Sequence, residues 1–165
     1  MIELLASVQE RQDCFDHLCT AWSSEYRQRG GAIHCGKGCS GCCSLVVNCT
    51  FPEALLVANT LDQQQQEQLQ AQIPRIQETA ANSDSLKEWL RAYRFGAGPC
   101  PFLDQTGACG IYRSRPLSCR SLLATKEPEW CTADFAALAS QKKQEFVESL
   151  DRSAEIGRAS CRERV

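Results

Sequence analysis

Four cysteines fall within nine residues in the segment Cys35-Gly-Lys-Gly-Cys39-Ser-Gly-Cys42-Cys43, and no other stretch narrows the possible folds of this chain so far. Inert buried thiols would need packing mass around them, whereas this segment supplies mainly glycine. Gly36, Gly38 and Gly41 permit tight turns with positive φ and let backbone N–H groups approach sulfur. Several sulfurs can then face one centre. Lys37 adds a positive charge that favours thiolates.

A second group, Cys100, Cys109 and Cys119, has each cysteine beside a residue that sets the backbone: Pro101, Gly110 and Arg120. Between the first two, Asp104-Gln-Thr-Gly107 is a turn sequence flanked by apolar residues, which predicts a short β-hairpin. The seven thiols exceed the four that saturate a tetrahedral zinc or one [4Fe–4S] cluster. Cys42 and Cys43 are adjacent, so in extended backbone their side chains diverge, and the pair points to two centres or to a separate role for one thiol. Cys49 and Cys131 are candidate additional ligands. Soft thiolate sets select zinc, Cu(I) or iron–sulfur clusters, and so many thiols without a histidine partner favour iron–sulfur, most simply [4Fe–4S], with zinc as the alternative. The spacing Cys35-x3-Cys39-x2-Cys42 also occurs in radical S-adenosylmethionine enzymes. Here Gly41 stands where those enzymes usually place an aromatic, and the alternating strand–helix pattern of their barrel is missing.

Twelve cysteines in 165 residues also suit a disulfide scaffold, but such scaffolds normally carry an export signal and few helices. The first residues, Met1 to Arg11, carry acidic charge and no apolar signal core. No apolar run approaches the roughly 18–20 residues of a membrane span, and a formal net charge of −2 argues against a nucleic-acid or anionic-membrane surface. The expectation is a soluble, cytoplasmic protein whose partner is a metal ion or cluster, with no nucleic acid and no membrane.

The rest reads as helix. Residues 3–28 carry Leu4, Leu5, Val8, Phe15, Leu18, Trp22 and Tyr26 near helical spacing and stop at Gly30-Gly31. Cys14 and Cys19 lie inside this helix and read as small buried hydrophobes, and His17 as an ordinary helix residue. Pro52 suits the first turn of a helix to Leu61, and Asp62 caps the next, from Gln63 to about Ala81, which Pro74 should kink or interrupt. Ser85-Leu-Lys-Glu88 matches a capping box, opening a helix with Leu86, Trp89, Leu90 and Tyr93 on its apolar side. Thr132 is expected to start a last helix containing Phe135, Leu138, Phe146 and Leu150. The fold class expected is mainly α: one small helical domain, residues 1–154, around a cysteine-rich metal-binding loop region with a short β-hairpin. Residues 155–165, Glu-Ile-Gly-Arg-Ala-Ser-Cys-Arg-Glu-Arg-Val, have no apolar period and resemble the translation of a sequencing adaptor. They are read as non-native, which discounts Cys161 and implies that the native C-terminus is missing.

The two cysteine groups together resemble the YkgJ-type cysteine-cluster family, also called CxxCxxCC, a zinc- or iron-chelating domain. Cys35 to Cys43 is similar to its first motif, with a first gap of three residues; Cys100-Pro-Phe-Leu-Asp104, Gly107-Ala-Cys109-Gly-Ile-Tyr112 and Arg115-Pro-Leu-Ser-Cys119-Arg120 are similar to its second. The resemblance spans residues 33–125 and implies metal chelation through these seven cysteines. Glu53 falls where members of the family carry an acid, although a carboxylate in the first turn of a helix is also favoured by the helix dipole. Arg113, Arg115 and Arg120 are candidates for an anionic-substrate patch or, preferably, for neutralising a negatively charged cluster. Some relatives are linked to flagellin lysine N-methylation, but no glycine-rich S-adenosylmethionine loop supports transferring that reaction. Three functions follow in order: one or two iron–sulfur centres with a redox or unassigned enzymatic role, a zinc-stabilised binding module, and a protein-modifying enzyme. Whether the chain is an enzyme, its redox partner and its oligomeric state stay open.

Overall fold

A computed structural model describes residues 2–149 and is mainly helical, with seven helices among the described residues. They are α1 (Ile2–Gln28), α2 (Phe51–Thr60), α3 (Gln63–Ala81), α4 (Leu86–Gly96), α5 (Leu117–Arg120), α6 (Glu129–Thr132) and α7 (Ser140–Ser149), with a 3₁₀ turn at Gly41–Ser44. No helix among the described residues is long and apolar enough to cross a membrane. Residues 155–165 and Leu150, on which two expectations rested, lie outside the described residues.

The chain divides into two units: one comprises the described residues up to Asp16 with Gly36–Leu122, the other His17–Cys35 with the described residues from Leu123 onward. In the first unit the helix starts follow local chemistry. The Thr50 hydroxyl accepts from the Glu53 amide while the Glu53 carboxylate accepts from the Thr50 amide, a full capping box that opens α2, with Pro52 in the first turn. Asp62 and Gln65 form the same reciprocal pair at the start of α3. At α4 only half the expected box forms: Ser85 accepts from the Glu88 amide, but the Glu88 carboxylate takes its bond from Asp84. Helix α3 runs through Pro74 without interruption. Pro74 is exposed, so water can serve the carbonyl that its missing N–H leaves free.

α3 packs on α4, and α4 packs on the 3₁₀ turn. Gln72, buried in α3, donates to the carbonyls of Ala97 (3.4 Å) and Pro99 (3.1 Å), which fixes the segment leading into Cys100. On α4 the inner side is Trp89 and Tyr93, both half-buried, whereas Leu86 and Leu90 are exposed, against the apolar side expected for them. The unit's buried hydrophobic side chains are few, Leu56, Ala97 and Ile111, and buried polar groups are prominent beside them: Gln12, Glu53, Gln72, Ser114 and Arg120. Cys14 is exposed on α1, not a core thiol, and the fully buried position of that stretch is Gln12.

The expected β-hairpin is not formed. Leu103 and Cys109 make one isolated antiparallel bridge, and no strand develops. The reversal itself is as anticipated: the Asp104 carboxylate accepts from the Thr106 amide and hydroxyl and from the Ala108 amide, and Gly107 turns with φ 77°. Pro99 and Pro101 supply no N–H to extend a ladder, and the chain turns again after Cys109.

In the second unit α1 ends as expected, with Gly30 at φ 87° and the Gly31 amide bonded to the Tyr26 carbonyl at 2.9 Å. A Cβ on Gly31 would lie 2.3 Å from the Tyr26 ring, so glycine is required there. Trp22 and Tyr26 stack at 5.1 Å. Trp130, Phe135 and Phe146 form a second aromatic group, with Phe146 4.7 Å from Trp130 and 4.8 Å from Phe135. The last long helix starts at Ser140 and not at Thr132: Asp134 draws the intervening chain into a turn, its carboxylate accepting from Ala136 and its carbonyl from Ala137 and Leu138.

Candidate metal centre

The two cysteine motifs meet in the first unit. The Cys100 amide donates to the Cys43 carbonyl at 2.9 Å, joining the end of the first cluster directly to the start of the second. Two glycine turns lie back to back: a Cβ on Gly107 would come 3.2 Å from the Gly38 carbonyl oxygen, and one on Gly38 would come 3.6 Å from that of Thr106. Further along, the buried Glu53 carboxylate accepts from Thr50 on one oxygen and from the Leu117 amide on the other, both at 2.8 Å, and the Ser118 hydroxyl donates to the Asn48 carbonyl.

This framework sets Cys42, Cys43, Cys100, Cys109 and Cys119 within electrostatic reach of one another. Cys42 and Cys43 sit in the 3₁₀ turn, not in extended backbone, and their thiols converge, which corrects the divergence expected of neighbours. The Cys43 thiol donates to the Cys42 sulfur and lowers its pKa to about 6, with help from the Arg115 charge and against the effect of burial. Cys43 is pushed strongly upward in turn by that bond, by burial and by the charges of Cys42, Cys100 and Cys109. Burial raises Cys100, partly offset by the Phe102 amide, with Cys109 and Cys42 raising it further. Cys119 is raised to about 11 by burial first and then by the same neighbouring thiols, opposed by Arg115. A half-buried group of thiols that hinder one another's ionisation is a set of soft donors whose repulsion a bound cation relieves. Among the described residues no three or more Cys, His, Asp or Glu side chains close on one ion position as they stand.

The other sequence candidates are placed differently. Cys39 occupies the exposed turn leading into the 3₁₀ turn, its amide bonded to the Gly36 carbonyl. Cys35 belongs to the second unit, where its sulfur accepts the Ala124 amide at 3.1 Å, an N–H···S bond of the kind that tunes cluster sulfurs. Cys49 is exposed before α2, its pKa raised by partial burial and by the Glu53 charge. Cys131 lies in α6 of the second unit.

The three arginines separate into distinct roles. Arg120 is buried and engaged by α1, its guanidinium meeting Asp16 and Gln12 and the carbonyls of Arg113 and Arg115, so neither a substrate patch nor cluster neutralisation describes it. Arg115 stacks on the Tyr112 ring at 3.9 Å and acts on Cys42 and Cys119. Arg113 is exposed, at a cleft of about 340 Å³ that Cys109 and Thr60 also line. Sequence reasoning missed Gln12 and Gln72, and gave Tyr93 only a packing place on its helix, where burial and the Cys100 charge raise its pKa. Only the helical spacing of Gln12 ahead of Asp16 offered any signal for this set.

A mainly helical chain whose two cysteine motifs adjoin at the Cys100–Cys43 bond fits one class, the cysteine-rich metal-chelating domains. The CxxCxxCC family model, described as "Putative zinc- or iron-chelating domain", matches residues 34–150, and the chain belongs to this family. No curated protein and no solved structure matches it.

Proposed function

We propose that the chain carries one or two iron–sulfur centres, of the [4Fe–4S] type, on the thiols of its two motifs. The observation that supports this reading is that the Cys100 amide bonds the Cys43 carbonyl, so that two motifs carrying seven thiols, more soft donors than one tetrahedral zinc takes, adjoin one another. Cys35 and Cys39 join the ligand set on their spacing in the first motif. Such a centre supplies one-electron transfer, to a redox partner or to a reaction not yet assigned. The domain's own contribution is to hold the thiols, to supply amide donors to sulfur and to offset negative charge with Arg115. A reducing, cytoplasmic setting belongs to the same reading, because the thiols must stay unoxidised to bind metal.

A zinc-stabilised module is the second reading. It is favoured by the few buried hydrophobic side chains of the first unit, since a structural metal contributes folding energy where the apolar core is small. Anaerobic purification followed by absorbance, iron, zinc and acid-labile sulfide analysis separates the two. Brown protein with matching iron and sulfide is expected; colourless protein with stoichiometric zinc and no sulfide overturns the iron–sulfur reading.

A further inference from the structure

We propose that Glu53 is the positioning residue of the metal centre, its single carboxylate holding the exit of the first motif against the entry of the helix that bears Cys119. The inference rests on the metal reading above. Glu53 is 6% exposed and both oxygens are engaged: Oε2 accepts from the Thr50 amide and hydroxyl, and Oε1 from the Leu117 amide, each at 2.8 Å.

Leu117 opens α5, whose N-cap, Pro116, offers no side-chain cap. Glu53 therefore serves two helices, its own α2 from within and α5 from a distance. An ordinary capping box needs only the Thr50 half of this arrangement. The Leu117 bond reaches across 64 residues of chain and ends two residues before Cys119. It is joined by the Ser118 hydroxyl on the Asn48 carbonyl, so the residues just after the first motif and those just before Cys119 are bound as one piece. The carboxylate thus spends its bonds on backbone and hydroxyl donors of the two segments it joins.

The test uses the full chain, purified anaerobically, stripped of metal and titrated with cobalt(II), with thiolate-to-metal absorbance as the readout and urea unfolding measured with and without cobalt. Three variants are compared. Glu53→Gln presents an amide group to donors; Glu53→Asp keeps the charge but is too short to span Thr50 and Leu117. Thr50→Ala removes the local cap and the hydroxyl bond to Oε2 but leaves the Leu117 bond in place. Cobalt affinity should fall about tenfold or more in both Glu53 variants, as for other residues that orient metal ligands, and less than about threefold in Thr50→Ala. If all three variants lose stability equally with and without cobalt, and affinity is unchanged, Glu53 is only a helix cap and the proposal fails. If wild-type protein shows no thiolate absorbance with cobalt, and anaerobic analysis finds neither iron with sulfide nor zinc, the metal reading fails first and the positioning role falls with it. Should Glu53→Gln not fold, Glu53→Asp decides the matter.

Discussion

Replacing Arg120 by methionine removes the most heavily engaged side chain of the second motif while keeping much of its stem volume. The guanidinium side chain is 1% exposed. Its Nε donates to the Arg115 carbonyl at 2.8 Å, Nη2 donates to Gln12 Oε1 at 3.0 Å and to the Arg113 carbonyl, and Nη1 meets the Asp16 carboxylate. Methionine leaves two backbone carbonyls and the Gln12 amide oxygen without a partner, at about 1–3 kcal/mol for each that stays dry. Asp16, 41% exposed, recovers water and adds little. Allowing for relaxation of the 113–115 loop, the expected loss is about 3–5 kcal/mol, toward the lower end of three such orphaned groups. With a urea dependence of about 1.5–2 kcal/mol per molar, the midpoint falls by about 2 M. The assay is urea unfolding of the metal-loaded protein followed by circular dichroism. Asp16→Asn, the control, should cost less than about 1 kcal/mol. An Arg120→Met midpoint within about 0.3 M of wild type would refute the claim that this guanidinium anchors the second motif to α1.

Cys109→Ser and Cys39→Ser should each lose metal and much of the fold, whereas Cys14→Ala, on an exposed helix position, should retain both; metal stoichiometry on purified protein checks this, and the opposite pattern sinks the division of ligands from bystanders. Burial alone would raise the Glu53 carboxyl, but the bonds from Leu117 and Thr50 prevail and hold it below the ordinary value. Its stabilising effect is therefore complete above the unfolded carboxyl pKa and fades as pH drops through the lower folded one, so wild type and Glu53→Gln should differ most in melting temperature near neutrality and converge in acid. Gly107→Ala places a side chain at φ 77° and 3.2 Å from the Gly38 carbonyl oxygen, and should cost about 1–2 kcal/mol by thermal melting. Gly36→Ala, with open space around it, should be close to neutral.

What could be read from the sequence was whatever depends on near neighbours. The cap at Asp62, Pro52 in a first turn and the Gly30-Gly31 stop each involve residues within a few positions of one another, and their chemistry is stereotyped. Both cysteine motifs were visible because four thiols in nine residues have few other uses. The features that assemble the site are long-range and leave no periodic trace. Glu53 looked like a first-turn carboxylate because its Thr50 half is local, while its Leu117 half is set by how the chain returns. Arg120 looked available to an anion because nothing nearby in sequence announces Asp16 and Gln12 as its partners. The divergence expected of Cys42 and Cys43 assumed extended backbone, and Gly41 opens a 3₁₀ turn instead.

The bond between the Cys100 amide and the Cys43 carbonyl has a topological consequence. It makes α2, α3 and α4 an excursion that leaves and returns at one point, so the α3–α4 connection at Asn82–Ser85 can change length without moving a cysteine. A metal taking one thiol from each motif turns that point into a covalent-strength tie around a loop of roughly 57 residues. By the chain-entropy relation used for disulfides, such a tie disfavours the unfolded chain by about 4 kcal/mol, a contribution of the kind a small apolar core leaves room for. Removing the metal would then release the helices as a unit, and amide exchange across α2–α4 should quicken together.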